Sequence, residues 1–387
     1  MSKRLAFRGI DYKVLNSLAN VYFVIFEFAL GLFILYLKGS YLYVGLGYAL
    51  YNISWALLIP FSKFFIVSKR LKTTLFASFL LMSVSLISFY FLELPYIFVS
   101  VFLLGFSSSA ISASLLYYSG LVGGFKDARI YADLMFYGLI GNGIGAFIGF
   151  LLFVYSQITK EYIFSLKIAF LIYGILSASA LFLINKLINT EFYRDVELKL
   201  NVETRGEKTL RHTLILLSTS FLGIGQGIVY PMIVPYLVDY FKTTPLVLML
   251  AYAPEGIGWF VSSRVGGKVV NKLSNSRIIA TSTLASAAIA FLLPMIKSLV
   301  VLSLLWGVEA VGLSIWTIFV QYLIAKKMGP ESWGVGFGSL NGAYYTSFAL
   351  GSIAGSYLFY YFSPLAAFWT GGLIFIITPL PIMMIIG

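Results

Sequence analysis

Apolar residues along this chain neither alternate nor trace one narrow helical stripe; they come in runs broken by short polar or glycine-containing stretches. Each run is roughly 18–30 residues, enough to cross a hydrocarbon core of about 30 Å as a helix. The pattern predicts twelve spans, in order Val14–Leu37, Tyr41–Ile59, Thr73–Leu92, Tyr96–Leu121, Ile130–Tyr155, Tyr162–Leu187, Thr213–Tyr240, Leu246–Ser263, Ile278–Ile296, Ser298–Leu323, Trp333–Phe362 and Leu365–Ile386. The first run follows Lys3, Arg4, Arg8 and Lys13 but is too long for a signal peptide and lacks a small-residue cleavage site, so it reads as a retained span. The one long hydrophilic stretch, residues 189–212, separates six spans from six and predicts an N-terminal unit of residues 1–188 and a C-terminal unit of residues 213–387.

Composition agrees with the pattern. The chain is 60% hydrophobic and 11% charged, whereas a soluble domain is about 25% charged; the lipid bilayer is the main solvent. The net charge of +12 would suit nucleic acid, but its distribution gives another reason for it. Only Lys38, Lys160, Lys242 and Lys297 fall in loops on the far side of the membrane from the N-terminus, and Lys167 lies just inside a span, while the remaining basic residues cluster on the terminal side. By the positive-inside rule both termini are cytoplasmic in a multi-pass protein of the cell membrane, with no nucleic-acid partner.

Chemistry narrows next. With no cysteine, disulfides, thiolate metal sites and Cys nucleophiles are excluded. The one histidine, His212, reads as a solvated loop residue, which removes zinc hydrolases and Ser-His-Asp triads. No nucleotide-binding Gly-x-x-x-x-Gly-Lys-Ser/Thr loop occurs. The expectation is a protein that is not an enzyme and needs no cofactor or metal.

Two halves echo one another at a shift of about 205 residues, as internal repeats of secondary transporters do. Gly145-Ala-Phe-Ile-Gly149-Phe-Leu-Leu-Phe-Val-Tyr155 aligns with Gly351-Ser-Ile-Ala-Gly355-Ser-Tyr-Leu-Phe-Tyr-Tyr361. Glycines four apart read first as helix-packing positions.

The segment after the eighth span, Gly267-Lys-Val-Val-Asn271-Lys-Leu-Ser-Asn275-Ser-Arg277, resembles the signature loop of the major facilitator superfamily: a glycine, an Asp or Asn four residues on, then a basic cluster. The matching loop of the first half, Ser62 to Lys72, keeps only the basic cluster. The resemblance implies an all-α polytopic membrane protein, with twelve transmembrane helices in two pseudo-symmetric six-helix bundles, working as a monomer by alternating access. It also implies roles: Gly267 for the turn, Asn271 as a cap, and Lys268, Lys272 and Arg277 as partners of acids or helix ends in a cytoplasmic gate. Asp133, a turn inside the fifth span, is by its position better placed for a cytoplasmic latch with Arg129 or Arg264 than for substrate. Two departures stand out. The fourth span, Leu103 to Ser112, lacks the arginine by which family members often couple protons, and the fifth, Gly138-Leu-Ile-Gly141-Asn-Gly143-Ile-Gly145, resembles the antiporters' glycine-rich motif without its proline.

Three carboxylates fall at mid-membrane depth, where an ionised group costs at least about 2.5–3.5 kcal/mol and so marks a functional candidate: Glu27, Glu255 and Glu309. Desolvation favours the protonated form of any carboxyl, the property a proton-exchanging carrier needs. No base shares that depth, since Lys167 can snorkel to the interface. On the helical period Asn16, Asn20 and Glu27 share a face; Tyr252, Glu255 and Trp259 share another; Trp306, Glu309 and Trp316 a third. Acids walled by rings suit an organic cation, although packing explains the rings equally, and Pro254 leaves open a kink at Glu255. The seventh span, Gly223-Ile-Gly225-Gln226-Gly227-Ile-Val-Tyr230-Pro231-Met-Ile-Val-Pro235, is expected to bend or break at Pro231 and Pro235, with Gln226 as a ligand and Asn142 and Asn341 adding hydrogen bonds.

The leading expectation is a secondary carrier that expels an amphipathic or cationic organic molecule against protons. The alternatives are a proton-coupled importer or facilitator of a neutral metabolite such as a sugar and, in another class, a sensor that binds without transporting.

Overall fold

The computed structural model describes residues 12–65, 70–91, 93–94, 96–123, 128–187, 210–272, 275–327 and 333–386, and among these there is no strand. Lipid offers backbone amides no partner, so a chain this apolar must satisfy them within each helix. The spans, numbered in chain order, are α1 (Tyr12–Tyr36), α2 (Tyr41–Phe65), α3 (Leu71–Phe91), α4 (Ile97–Gly123), α5 (Ala128–Thr159), α6 (Tyr162–Leu187), α7 (Leu210–Phe241), α8 (Pro245–Lys272), α9 (Asn275–Leu292), α10 (Leu299–Lys327), α11 (Trp333–Tyr361) and α12 (Pro364–Ile377), the last continued by Leu380–Ile386. Nine stretches among the described residues are long and apolar enough on their own to cross a membrane.

Within each half the same crossings recur. In the first, α5 lies on α1: a Cβ on Gly141 would strike the Ser17 carbonyl, one on Gly145 the Val21 carbonyl, and one on Gly149 the Ile25 side chain. In the second, α11 lies on α7: Gly351 and Gly355 abut the carbonyls of Ile224 and Ile228, and Gly227 abuts that of Phe348. The repeated glycines are thus packing positions. Gly105 of α4 meets Tyr51 and Ser54 of α2 just as Gly307 of α10 meets Pro254 of α8. Between the halves, α2 packs on α11 and α5 on α8.

Three expectations need correction. Gly267 does not make a turn: α8 runs on to Lys272, so Gly267, Lys268 and Asn271 are helical and Arg277 lies in the first turn of α9. Hydropathy ends with the bilayer, but a helix need not. Second, α7 is one helix with Pro231 and Pro235 inside it; the interruption falls instead in α1, at Val21-Tyr22, after which helix resumes at Phe23 with no side-chain cap. Third, His212 belongs to α7, half-buried, with Nε2 3.2 Å from Ser339 Oγ of α11. Most of the expected 189–212 loop lies outside the described residues.

At the face opposite the termini, α1, α5 and α7 each end on a lysine in the left-handed region: Lys38 (φ 62°), Lys160 (φ 64°) and Lys242 (φ 53°). That conformation costs a non-glycine residue roughly 1–2 kcal/mol, partly offset by the attraction of a cation to a helix C-terminus. Lys160→Gly should raise the melting temperature in detergent, by up to about 1 kcal/mol of stability. A fall would mean that the charge at the helix end outweighs the backbone strain.

Candidate functional site

The three acids come from three helices. Glu27 projects from α1 and stays partly exposed, while Glu255 on α8 and Glu309 on α10 are only 8% and 5% exposed. Glu255 lies within electrostatic reach of both Glu27 and Glu309, so the three form one group spanning the two halves. Lys and Arg are absent from α1 beyond Lys13, from α8 before Arg264 and from α10 before Lys326. Each acid has a different local setting. Glu309 takes hydrogen bonds from the hydroxyls of Ser286 on α9 and Tyr230 on α7, both in its own half. Glu255 takes one from the indole of Trp259, one turn along α8. At Glu27 it is the backbone carbonyl that is engaged, by the hydroxyl of Tyr48. Pro254 breaks nothing here: α8 is continuous, and the proline ring and carbonyl fill the notch at Gly307.

The expected aromatic walls divide. Trp306 is buried between Tyr252, at 4.5 Å between ring centroids, and Tyr230, at 6.2 Å. Trp316 is buried too. Both are core residues rather than open walls for a cation, because burial leaves almost none of either ring accessible. Tyr252 also meets Phe28 of α1 at 5.5 Å, so it closes the seam between the halves beside Glu27. Trp259 is half-exposed and remains available beside Glu255.

Several polar candidates prove to be bonded within the protein. The stripe on α1 is turned to α5: Asn16 donates to the Leu134 carbonyl at 2.6 Å, Ser17 to that of Tyr137 at 2.7 Å, and Asn20 back to Asn16 at 2.8 Å. Gln226 accepts from the hydroxyl of Tyr344 on α11. Asn341 is half-buried on α11, and the side-chain oxygen of Asn142 is buried with no partner. Asp133 pairs with Lys13 of α1 at 3.5 Å rather than with Arg264, so it ties two helices of one half. Arg264 lies over the Phe136 ring at 3.4 Å, and Phe136 meets Phe260 at 5.4 Å, making an aromatic and cationic contact between α5 and α8. The side chains of Gly267, Lys268, Asn271 and Arg277 lie outside the described residues.

Sequence reasoning missed a hydroxyl cluster in the first half, where Tyr22 meets Tyr51 at 2.9 Å and Ser108 at 2.5 Å, and a ring pair between halves, Trp55 with Tyr345 at 4.5 Å. A signal for these was present. Tyr48-Ala49 and Trp55 of α2 recur as Tyr252-Ala253 and Trp259 of α8, and in that register Tyr51 stands where the second half has Glu255.

No family model matches the sequence, and no curated protein matches it. The fold does match solved structures. One is a mutant of the nucleoside transporter NupG, with TM-score 0.69 at 14% identity over 98% of each chain. Another is the human organic anion transporter MFSD10 (TETRAN), with TM-score 0.65 at 13% identity over 99% of this chain and 100% of that one. The chain therefore has the major facilitator fold, two six-helix bundles of a multi-pass membrane protein.

Proposed function

We propose that this protein is a secondary carrier that alternates access to a midplane site between residues 1–188 and residues 213–387, and that it moves an amphipathic or cationic organic molecule against protons. The observation carrying this reading is the grouping of Glu27, Glu255 and Glu309 from both halves at a depth where their helices bear no base. Three carboxyls in reach of one another cannot all ionise cheaply, so a cation entering and protons leaving are linked by charge balance. Glu27 and Glu255 flank the seam between the halves and would meet the solute, with Trp259 as the available ring. The segment from Gly267 to Arg277 would serve as the cytoplasmic gate in an orientation with both termini inside, as the basic residues favour.

The second reading, uptake of a neutral metabolite, is favoured by the Tyr22–Tyr51–Ser108 hydroxyls and by the nucleoside transporter among the structural matches. There the hydroxyl cluster would open to bind a ring bearing hydroxyls.

The test is proton flux in proteoliposomes under a pH gradient, with lipophilic cations, nucleosides and sugars offered in turn to the unaltered protein and to Glu27→Gln, Glu255→Gln and Glu309→Gln. Cation-triggered proton release, lowered on the order of a hundredfold by at least one substitution, is expected. Nucleoside-driven proton entry would replace the first reading by the second, and solute movement with no proton flux in any variant would make the acids structural.

A further inference from the structure

The chamber next to Glu309 is not in the seam between the halves. It lies inside the second bundle, lined by Val229 and Ile233 of α7, Ala290 of α9, and Leu302, Trp306 and Glu309 of α10, and reaches Ile296 in the turn before α10. The space open to the centre of a water molecule is about 10 Å³, close to what one water needs. Its walls are apolar at every position named except two. Trp306 and Glu309 stand one helical turn apart on the same face of α10, and the Trp306 Nε1–H is buried with no hydrogen-bond partner. A buried indole N–H without a partner is costly, and Trp316, the other orphan indole of α10, does not line this chamber.

We propose that the chamber holds a single ordered water, which accepts from Trp306 Nε1–H and donates to the Glu309 carboxyl. Two polar partners meet the minimum for a buried water. Glu309 is then hydrated from within the second bundle, on the side facing Ile296, while Glu27 and Glu255 are reached from the seam. From Glu309 to the start of α10 at Leu299 is ten residues, about 15 Å of helix, and the chamber lies on the side of Glu309 toward that end, beside Leu302 and Ile296. A solute lodged in the seam does not displace this water. Where Glu309 acts as a proton carrier, a role that rests on the function proposed above, a hydronium in the chamber gives its proton to a carboxylate oxygen and remains as water.

Radiolytic footprinting tests the water itself, without any solute or gradient, so its failure is distinct from failure of the transport reading. Hydroxyl radicals made from a bound water oxidise the side chain touching it. Trp306 and Trp316 are equally buried, at 2% and 3% exposed, and both lack a partner, yet only Trp306 lines the chamber. Trp306 is expected to oxidise on the order of tenfold faster than Trp316, and Ala290→Leu, which fills the chamber, is expected to remove that difference. Equal slow oxidation of the two indoles in the unaltered protein overturns the proposal, a result that needs no variant to fold. Fast oxidation of Trp306 that persists in a folded Ala290→Leu protein also overturns it, by placing the water elsewhere.

Discussion

Gly145→Val is expected to yield no folded protein, and Gly145→Ala to lose stability by about 1–3 kcal/mol, as overpacking does. The reason is local. A Cβ at Gly145 would run into the Val21 carbonyl, which is backbone and cannot rotate away, and the Gly145 carbonyl is itself held by Tyr173 Oη at 2.9 Å. Relief requires α5 to leave α1, the contact on which the first bundle closes. Gly143, two residues earlier on the same helix, has open space where its Cβ would go. Gly143→Ala should therefore be neutral or stabilising by up to about 1 kcal/mol through helix propensity. Thermal denaturation of the two alanine variants in one detergent checks the pair. Equal melting temperatures would show that α5 is free to shift, and that the tight α1–α5 crossing is not a determinant of the fold.

The second large effect is expected between the halves. Gly45 of α2 lies against Ser352 and Ser356 of α11, and any side chain there would meet the Ser356 side chain and the Ser352 carbonyl. Nearby, the Tyr41 hydroxyl donates to Asp239 of α7, and its ring meets Phe359 at 5.2 Å. These contacts join the two halves near the face opposite the termini. Gly45→Val should hold that face apart while leaving each bundle intact, because the contacts of α2 with its own half lie elsewhere on the helix. Transport is expected to fall on the order of tenfold or more, since a cycle that cannot close one side stalls, with a small change in melting temperature. The chain has no cysteine, so Tyr41→Cys with Phe359→Cys gives a reporter without background. A short bifunctional thiol reagent should link the pair with Gly45 present and fail to do so with Gly45→Val. Undiminished transport by Gly45→Val would remove closure at this face from the cycle.

Sequence carried the helices well, because an unbroken apolar run of span length has few structures open to it in lipid. Tyr162–Leu187 was bounded to the residue, and both edges of the fifth span fell short only where α5 extends past the apolar run. The end of α8 was missed for the same reason: Gly266-Gly267 and a basic cluster look like a loop to hydropathy, yet the helix continues. Chemistry was less legible than fold. The three acids were visible from depth alone, but their convergence depends on how α1, α8 and α10 meet. Asp133 shows the limit most clearly, since its partner Lys13 is 120 positions away and nothing in either segment marks the pairing. Trp306 and Trp316 had the spacing of a ligand-facing stripe, yet both are buried, Trp306 against Tyr230 and Tyr252 of neighbouring helices. The interruption of α1 had no proline or glycine to announce it, while the prolines of α7 fall within one continuous helix.

The left-handed lysines carry a consequence for biosynthesis. In the orientation proposed, Lys38, Lys160 and Lys242 belong to the few cations that the insertion machinery must move across the bilayer. Each ends up at a helix C-terminus, where about half an elementary charge of opposite sign awaits it. A glycine would suit the turn better and a neutral residue would cross more easily, so the lysines are positioned where translocation and turn geometry both oppose them.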